Sequence, residues 1–132
     1  MNIEYKDSKV FQPKELQELF LSVKWVSGRY PEKLVEAMKN SGSVFSAWEN
    51  DKLIGLINVL DDGSMTAYVH FLLVNPAYQG KRIGKSLLQK TAEKYKNYLR
   101  IVLISEDSEV GFYQNCGFTI GKGTTAMFAD SF

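Results

Sequence analysis

The sequence predicts an α+β fold built in layers, and three observations carry that expectation. Apolar spacing alternates along the chain between a helical period and a strand period, in the order strand, two helices, three strands, helix, strand, short helix, one or two strands. Glycine, proline, asparagine and aspartate stand at the changes of period, where turns need them. With 132 residues, 45% of them hydrophobic, the chain can bury one core and is too short for two, so residues 1–132 read as a single domain.

Ile3 to Lys6 reads as a short first strand. In "PKELQELFLSV" a proline stands at a helix-start position and Leu16, Leu19, Phe20 and Val23 share one face. "KWVSGRY" follows as a loop or irregular helix with two aromatics. A second helix opens at Pro31, carries Leu34, Val35 and Met38 as its stripe, and stops at the breakers Asn40 and Gly42. From Val44 the period is two: "VFSAWEN" and "DKLIGLINVL" are strands joined by an Asn50-Asp51 turn, and "DDGS" turns the chain again. "TAYVHFLLV" is longer and apolar at every position from Phe71, the pattern of a central strand covered on both faces. Its period of two puts Tyr68, His70 and Leu72 on one face. A helix from about Gly84 gathers Leu87, Leu88, Thr91, Ala92 and Tyr95, and "YLRIVLIS" reads as a buried strand. "SEVGFYQNCGF" gives a short helix ended by Gly117, and "FTIGKGTTAMFA" a last strand or two, broken near Gly121 and Gly123.

Sixteen basic and fifteen acidic residues nearly cancel, to a net charge of +1, so neither a nucleic-acid surface nor a disordered chain is expected. The single cysteine, Cys116, has no internal disulfide partner. No secretory signal pattern opens the chain, and no apolar run approaches the roughly 20 residues that cross a bilayer. A cytoplasmic protein without a membrane partner or a metal site is the expectation.

The most informative stretch is "VNPAYQGKRIGKSLLQK", Val74 to Lys90. Its "GKRIGKS" looks like a triphosphate loop, but that loop needs four residues between its first glycine and its Gly-Lys pair. Here Lys81, Arg82 and Ile83 alone separate Gly80 from Gly84, and Gln79 stands where the first glycine should. Only a weak magnesium-binding candidate, Asp107, is present. A strand, a glycine turn and a helix start remain, and the unsatisfied N–H groups of a helix start suit a diphosphate.

At these residues the chain resembles the GCN5-related N-acetyltransferases, the GNAT superfamily. The family signature, Gln or Arg, two residues, Gly or Ala, one residue, Gly or Ala, is met by Gln79, Gly80-Lys81, Arg82, Ile83 and Gly84, after the usual lead-in Val74 to Lys81. Arg82 stands where glycine is commonest; a negative φ there would keep its N–H available. "GFYQNCGF", Gly111 to Phe118, is similar to the late family motif of a short helix bearing a tyrosine and ending in Gly-Phe. The element order also matches, so the likeness covers nearly the whole chain. It implies a mixed, mostly antiparallel sheet flanked by helices, with two central strands splayed apart.

It also implies an acetyl-coenzyme A site. The diphosphate would lie on the N–H groups of Gly80 to Lys85, with Lys81, Arg82 and Lys85 adding charge, and the pantetheine arm along Leu72, Leu73 and Val74. A homodimer is left open, since members often pair through edge strands or helices.

Transfer to an amine poses two proton problems. An alkylammonium of pKa near 10.4 is about 99.9% protonated at pH 7, so exposing its lone pair costs roughly 4–5 kcal/mol. A thiolate leaves more easily when a positioned acid protonates it. The resemblance makes Tyr113 the acid. His70, the only histidine, is the candidate base or water-holder, with Tyr68 beside it. Glu106 and Asp107 are further candidates, while Asp61 and Asp62 suit a hairpin turn better. Cys116 follows the tyrosine at a packing position, so direct attack in a ternary complex is expected over an acetyl-cysteine. Trp25, Arg29, Tyr30 and the Gly121–Gly123 loop are expected around the acceptor, a small or aromatic primary amine or a protein or peptide amine. A non-catalytic acyl-CoA-binding sensor and a nucleotide hydrolase are the rival readings.

Overall fold

The computed structural model describes residues 2–130. Pro13 and Pro31 both open helices, having no N–H to leave unpaired. The elements run β1 (Ile3–Lys6), α1 (Pro13–Ser22), a 3-10 turn (Val26–Arg29), α2 (Pro31–Lys39), β2 (Ser43–Glu49), β3 (Lys52–Asp61) and β4 (Thr66–Val74). A 3-10 turn (Pro76–Tyr78), α3 (Ile83–Lys94), β5 (Arg100–Leu103), a third 3-10 turn (Asp107–Glu109) and α4 (Val110–Asn115) complete them. One sheet has the order β1-β2-β3-β4-β5; its first three pairings are antiparallel and β4 with β5 is parallel. This mixed, helix-flanked sheet is the expected architecture.

Two cores sandwich the sheet. Leu16, Leu19 and Phe20 of α1 and Leu34 and Met38 of α2 pack against Val44, Trp48, Leu56 and Leu73 on one face. Ile83, Leu87, Leu88 and Tyr95 from the α3 segment pack against Ile54, Ile57, Val59, Ala67 and Val69 on the other. Each fully buried Leu, Ile or Phe contributes about 1.5–3 kcal/mol. Gly55 permits the close seating of α3, because a Cβ there would meet Ile83 Cγ2 at 3.0 Å.

Four expectations change. The strand covered on both faces is β3, buried at every residue from Leu53 to Val59; β4 is only half-buried from Phe71 to Leu72 and at Val74. "YLRIVLIS" yields a four-residue, half-buried edge strand rather than a buried one. Ala92 is exposed, one position off the buried stripe of α3. Residues 118–130 form no strand: a strand is a ladder that requires a partner, and apolar spacing reports propensity without one.

The hairpin turn behaves as read. Asp62 Oδ1 accepts the N–H groups of Ser64, Met65 and Thr66 at 2.9, 2.7 and 3.1 Å, and these bonds hold its carboxyl below the usual carboxylate range. Asp61 instead accepts the Tyr95 hydroxyl at 2.6 Å and ties the hairpin to the end of α3.

Candidate active site

The turn between β4 and α3 builds one end of the site. Asn75 Oδ1 accepts the Ala77 N–H at 3.0 Å and shapes the 3-10 turn, after which Gly80 takes φ 81°. Arg82 is also left-handed, at φ 62°, which corrects the expected negative angle; the chain must reverse into α3 within two residues of Gly80. The first backbone bond of α3 runs from the Ser86 N–H to the Arg82 carbonyl, 3.0 Å, leaving the N–H groups of Ile83, Gly84 and Lys85 without intrahelical partners. A left-handed non-glycine residue costs on the order of 1–2 kcal/mol, offset in part by the larger entropy that glycine loses. Arg82→Gly should therefore raise the melting temperature by roughly 2–5 °C; an unchanged or lower midpoint would show that no strain resides there.

The next segment is shaped by an irregularity in β4. Val69 pairs with Val59 and Phe71 with Asn58, so His70 is an extra residue, a β-bulge. Alternation inverts across it: Ala67 and Val69 face the α3 core, Phe71 and Leu73 face the α1 core, and Leu72 and Val74 return to the α3 side. Tyr68 and Leu72 thus do not share a face, contrary to the period-two reading, because one inserted residue shifts the register of all that follow.

The parallel partner β5 stops at the same place. Its register with β4 runs from Thr66↔Arg100 to Val69↔Leu103, and beyond that the strands diverge. The Phe71 and Asn75 N–H groups both turn toward β3, reaching Asn58 Oδ1 at 3.0 Å and the Ile54 carbonyl at 2.8 Å. Successive peptide groups of a strand point to opposite sides, so the N–H and C=O groups of Leu72 and Val74 face the opening between β4 and β5.

A cleft of about 1210 Å³ joins these parts, larger than the roughly 300–1,000 Å³ of most small-ligand sites. It starts at Gln79, Gly80, Arg82, Gly84 and Lys85, follows Leu72 to Val74, passes Leu103, Ser105 and Glu106, and reaches Tyr113 of α4 and Trp25. Tyr113 stands edge-on to Phe112 and Phe118, with ring centroids at 5.1 and 5.9 Å. Burial, with the negative charge of Glu109 added, pushes its phenol up to about 12, so it stays protonated at neutral pH. His70 is exposed on the cleft side but stacks on Phe71 at 3.9 Å between centroids, and the desolvation it does have lowers its pKa from 6.5, favouring the neutral imidazole.

Most of the sequence-derived residues meet in this cleft: His70, Leu72, Leu73, Val74, Gln79, Gly80, Arg82, Ile83, Gly84, Lys85, Glu106, Tyr113 and Trp25. Arg29, Tyr30, Tyr68, Lys81 and the Gly121–Gly123 loop do not line it. Tyr30 is 53% exposed, while Tyr68 lies before the bulge, where β5 still covers the edge of β4. Cys116 packs half-buried beside Tyr113, away from the cleft. The spacing gave no sign of Lys24, Ser105, Glu109 and Phe112, which line the walls. Of these only Lys24 had a local signal, the end of a helix, and it terminates α1 at φ 63°.

The cleft can hold an extended ligand with an anionic end at α3, a backbone-pairing middle on β4 and a reactive end between a neutral phenol and a neutral imidazole. A family model described as an acetyltransferase (GNAT) domain matches residues 5–126. A ycf52-like N-acetyltransferase of Prochlorococcus marinus is 31% identical, over 86% of this chain and 67% of that one. A Glycine max protein named as a histone acetyltransferase is 32% identical, over 86% of this chain and 55% of its own length. The chain thus spans about two thirds of the first and just over half of the second. A GNAT-family acetyltransferase structure from Streptococcus pneumoniae superposes with a TM-score of 0.85 at 27% identity, covering 98% of this chain and 99% of the other.

Proposed function

The chain belongs to the GNAT acetyltransferase family, and from that premise we propose that residues 1–132 act as one domain that moves an acetyl group from acetyl-CoA directly to a primary amine in a ternary complex. The observation that carries this is the continuity of the cleft, from three free N–H groups at α3 to the phenol of Tyr113.

The donor supplies an acetyl group activated as a thioester. The N–H groups at the start of α3, with Arg82 and Lys85 beside them, hold its diphosphate, and the exposed peptide groups of Leu72 and Val74 orient its arm as a neighbouring strand would. Tyr113 holds a proton at Oη for the departing sulfur. His70, directly or through a water, takes the proton of the incoming ammonium. Cys116 takes no part, in keeping with its packing away from the cleft. Trp25, Lys24 and Glu106, which all line the cleft, are available to the acceptor. The soybean relative makes a lysine side chain one acceptor to try, beside small and aromatic amines.

The test is acetyl transfer to such a panel, with ligand-induced shifts in melting temperature measured in parallel. Coenzyme A at 100 times its dissociation constant should stabilise by about 2.7 kcal/mol, and ATP with magnesium should not. Intersecting initial-velocity lines are expected. Parallel lines would replace the ternary complex with an acetyl-enzyme, and binding without release of thiol would make the chain a sensor module. Because His70 works as the neutral ring and burial lowers its pKa from the ordinary 6.5, activity should hold at pH 6.5 and fall only at more acid pH, as the ring takes up a proton. His70→Gln should abolish that acidic limb.

A further inference from the structure

Beside the bulge at His70 lies a polar contact that the acetyl-transfer chemistry does not use. Asn58 of β3 is fully buried at 0% exposure. Its Oδ1 accepts the Phe71 N–H at 3.0 Å, and its Nδ2 donates to Ser41 Oγ at 3.2 Å. The Ser41 hydroxyl in turn donates to the Ala37 carbonyl at 2.7 Å, at the end of α2. A fully buried amide, here on a strand position paired with Val44 and Phe71, is expensive unless satisfied, and each hydrogen-bond partner is set by main chain or by a helix end.

We propose that Asn58 is a positioning residue that pins the β4 bulge and so decides which backbone groups of β4 face the cleft. A bulge interrupts the ladder, and the carboxamide oxygen supplies the acceptor that the Phe71 N–H would otherwise lack. Without it, the half-strand from Phe71 to Val74 is free to slip by one residue and restore a regular ladder. That slip would turn the peptide groups of Phe71 and Leu73 into the cleft in place of those of Leu72 and Val74, and exchange the faces of their side chains. The ring of His70, stacked on Phe71, would move with them.

The consequence for catalysis rests on the acetyl-transfer reading, whereas the consequence for the strand does not. The experiment compares Asn58→Leu, similar in size but without an acceptor, with Asn58→Asp, which keeps the acceptor and buries a carboxyl. Amide hydrogen exchange of Phe71 and Leu72 is read in the free protein, and melting temperature and kcat are read beside it. Asn58→Leu should lose Phe71 protection and about 100-fold in kcat, the usual effect of misplacing a reactive group by about 1 Å. Asn58→Asp, the less stable of the two, should keep the protection and most of kcat. Full protection of Phe71 in a folded Asn58→Leu protein would overturn the proposal, as would activity that simply follows melting temperature. If the wild type transfers no acetyl group, the functional reading fails, and the exchange pattern still decides the role of Asn58.

Discussion

Tyr113→Phe is expected to lower kcat by roughly 100- to 10,000-fold, the range for removing a positioned general acid. The Michaelis constants should change little, because the phenyl ring keeps its edge-on contacts with Phe112 and Phe118. The fold should survive for the same reason, so loss of rate will not be confused with loss of protein. A pH profile adds a second check. With the phenol pushed up to about 12, the acid remains protonated throughout the usual assay range, so the wild type should show no alkaline fall due to this group. The variant should run parallel to it at a lower level. A Tyr113→Phe enzyme with near wild-type kcat would remove the phenol from the reaction and leave a water to protonate the sulfur.

Gly84→Val is expected to raise the Michaelis constant for acetyl-CoA by tenfold or more, equivalent to about 1.4 kcal/mol of lost binding. A Cβ at residue 84 would already sit 3.3 Å from Phe112 Cζ and 3.9 Å from Val74 Cγ2. A β-branched side chain adds two methyl groups where α3, α4 and the end of β4 converge, so it crowds the turn into α3 and pushes on the ring beside Tyr113. Overpacking of this kind costs about 1–3 kcal/mol of stability, and the melting temperature should fall with it. Gly84→Ala, which needs only a small movement of Phe112, should lie between wild type and valine. An unchanged Michaelis constant in the valine variant would take this turn out of the cofactor site.

Much of the architecture was legible because it depends on nearest neighbours in the chain. Pro13 and Pro31 start helices by lacking an N–H, the Asp62 turn closes on its own backbone, and the α1 stripe of Leu16, Leu19 and Phe20 follows from 3.6 residues per turn. The free N–H groups of the α3 turn were legible for the same reason, since spacing within ten residues fixes which of them lack an intrahelical partner. Tyr113 was reached through the resemblance of "GFYQNCGF" to a family motif, and the structure brings it to the same cleft.

Two of the errors share one cause, dependence on a partner strand. The bulge at His70 is a relation between strands, Val69 pairing with Val59 and Phe71 with Asn58, and no alternation count along β4 alone can register it. The tail from 118 to 130 has strand-like spacing and finds no ladder among the described residues. Arg82 looks like an ordinary turn residue in the sequence, and its left-handed backbone belongs to the reversal of the chain from Gly80 into α3.

Sequence alone therefore determined the order of the helices and of the five strands that form, the apolar faces of α1 and α2 and the free N–H groups at the start of α3, all of which are set by local backbone chemistry. Only the tertiary structure decided which edge of β4 is open, which peptide groups face the cleft and how Tyr113 and His70 come to border it. Those features arise where β3, β4 and β5 meet, and hydrogen-bond register between strands is a relation that neither strand's own sequence contains.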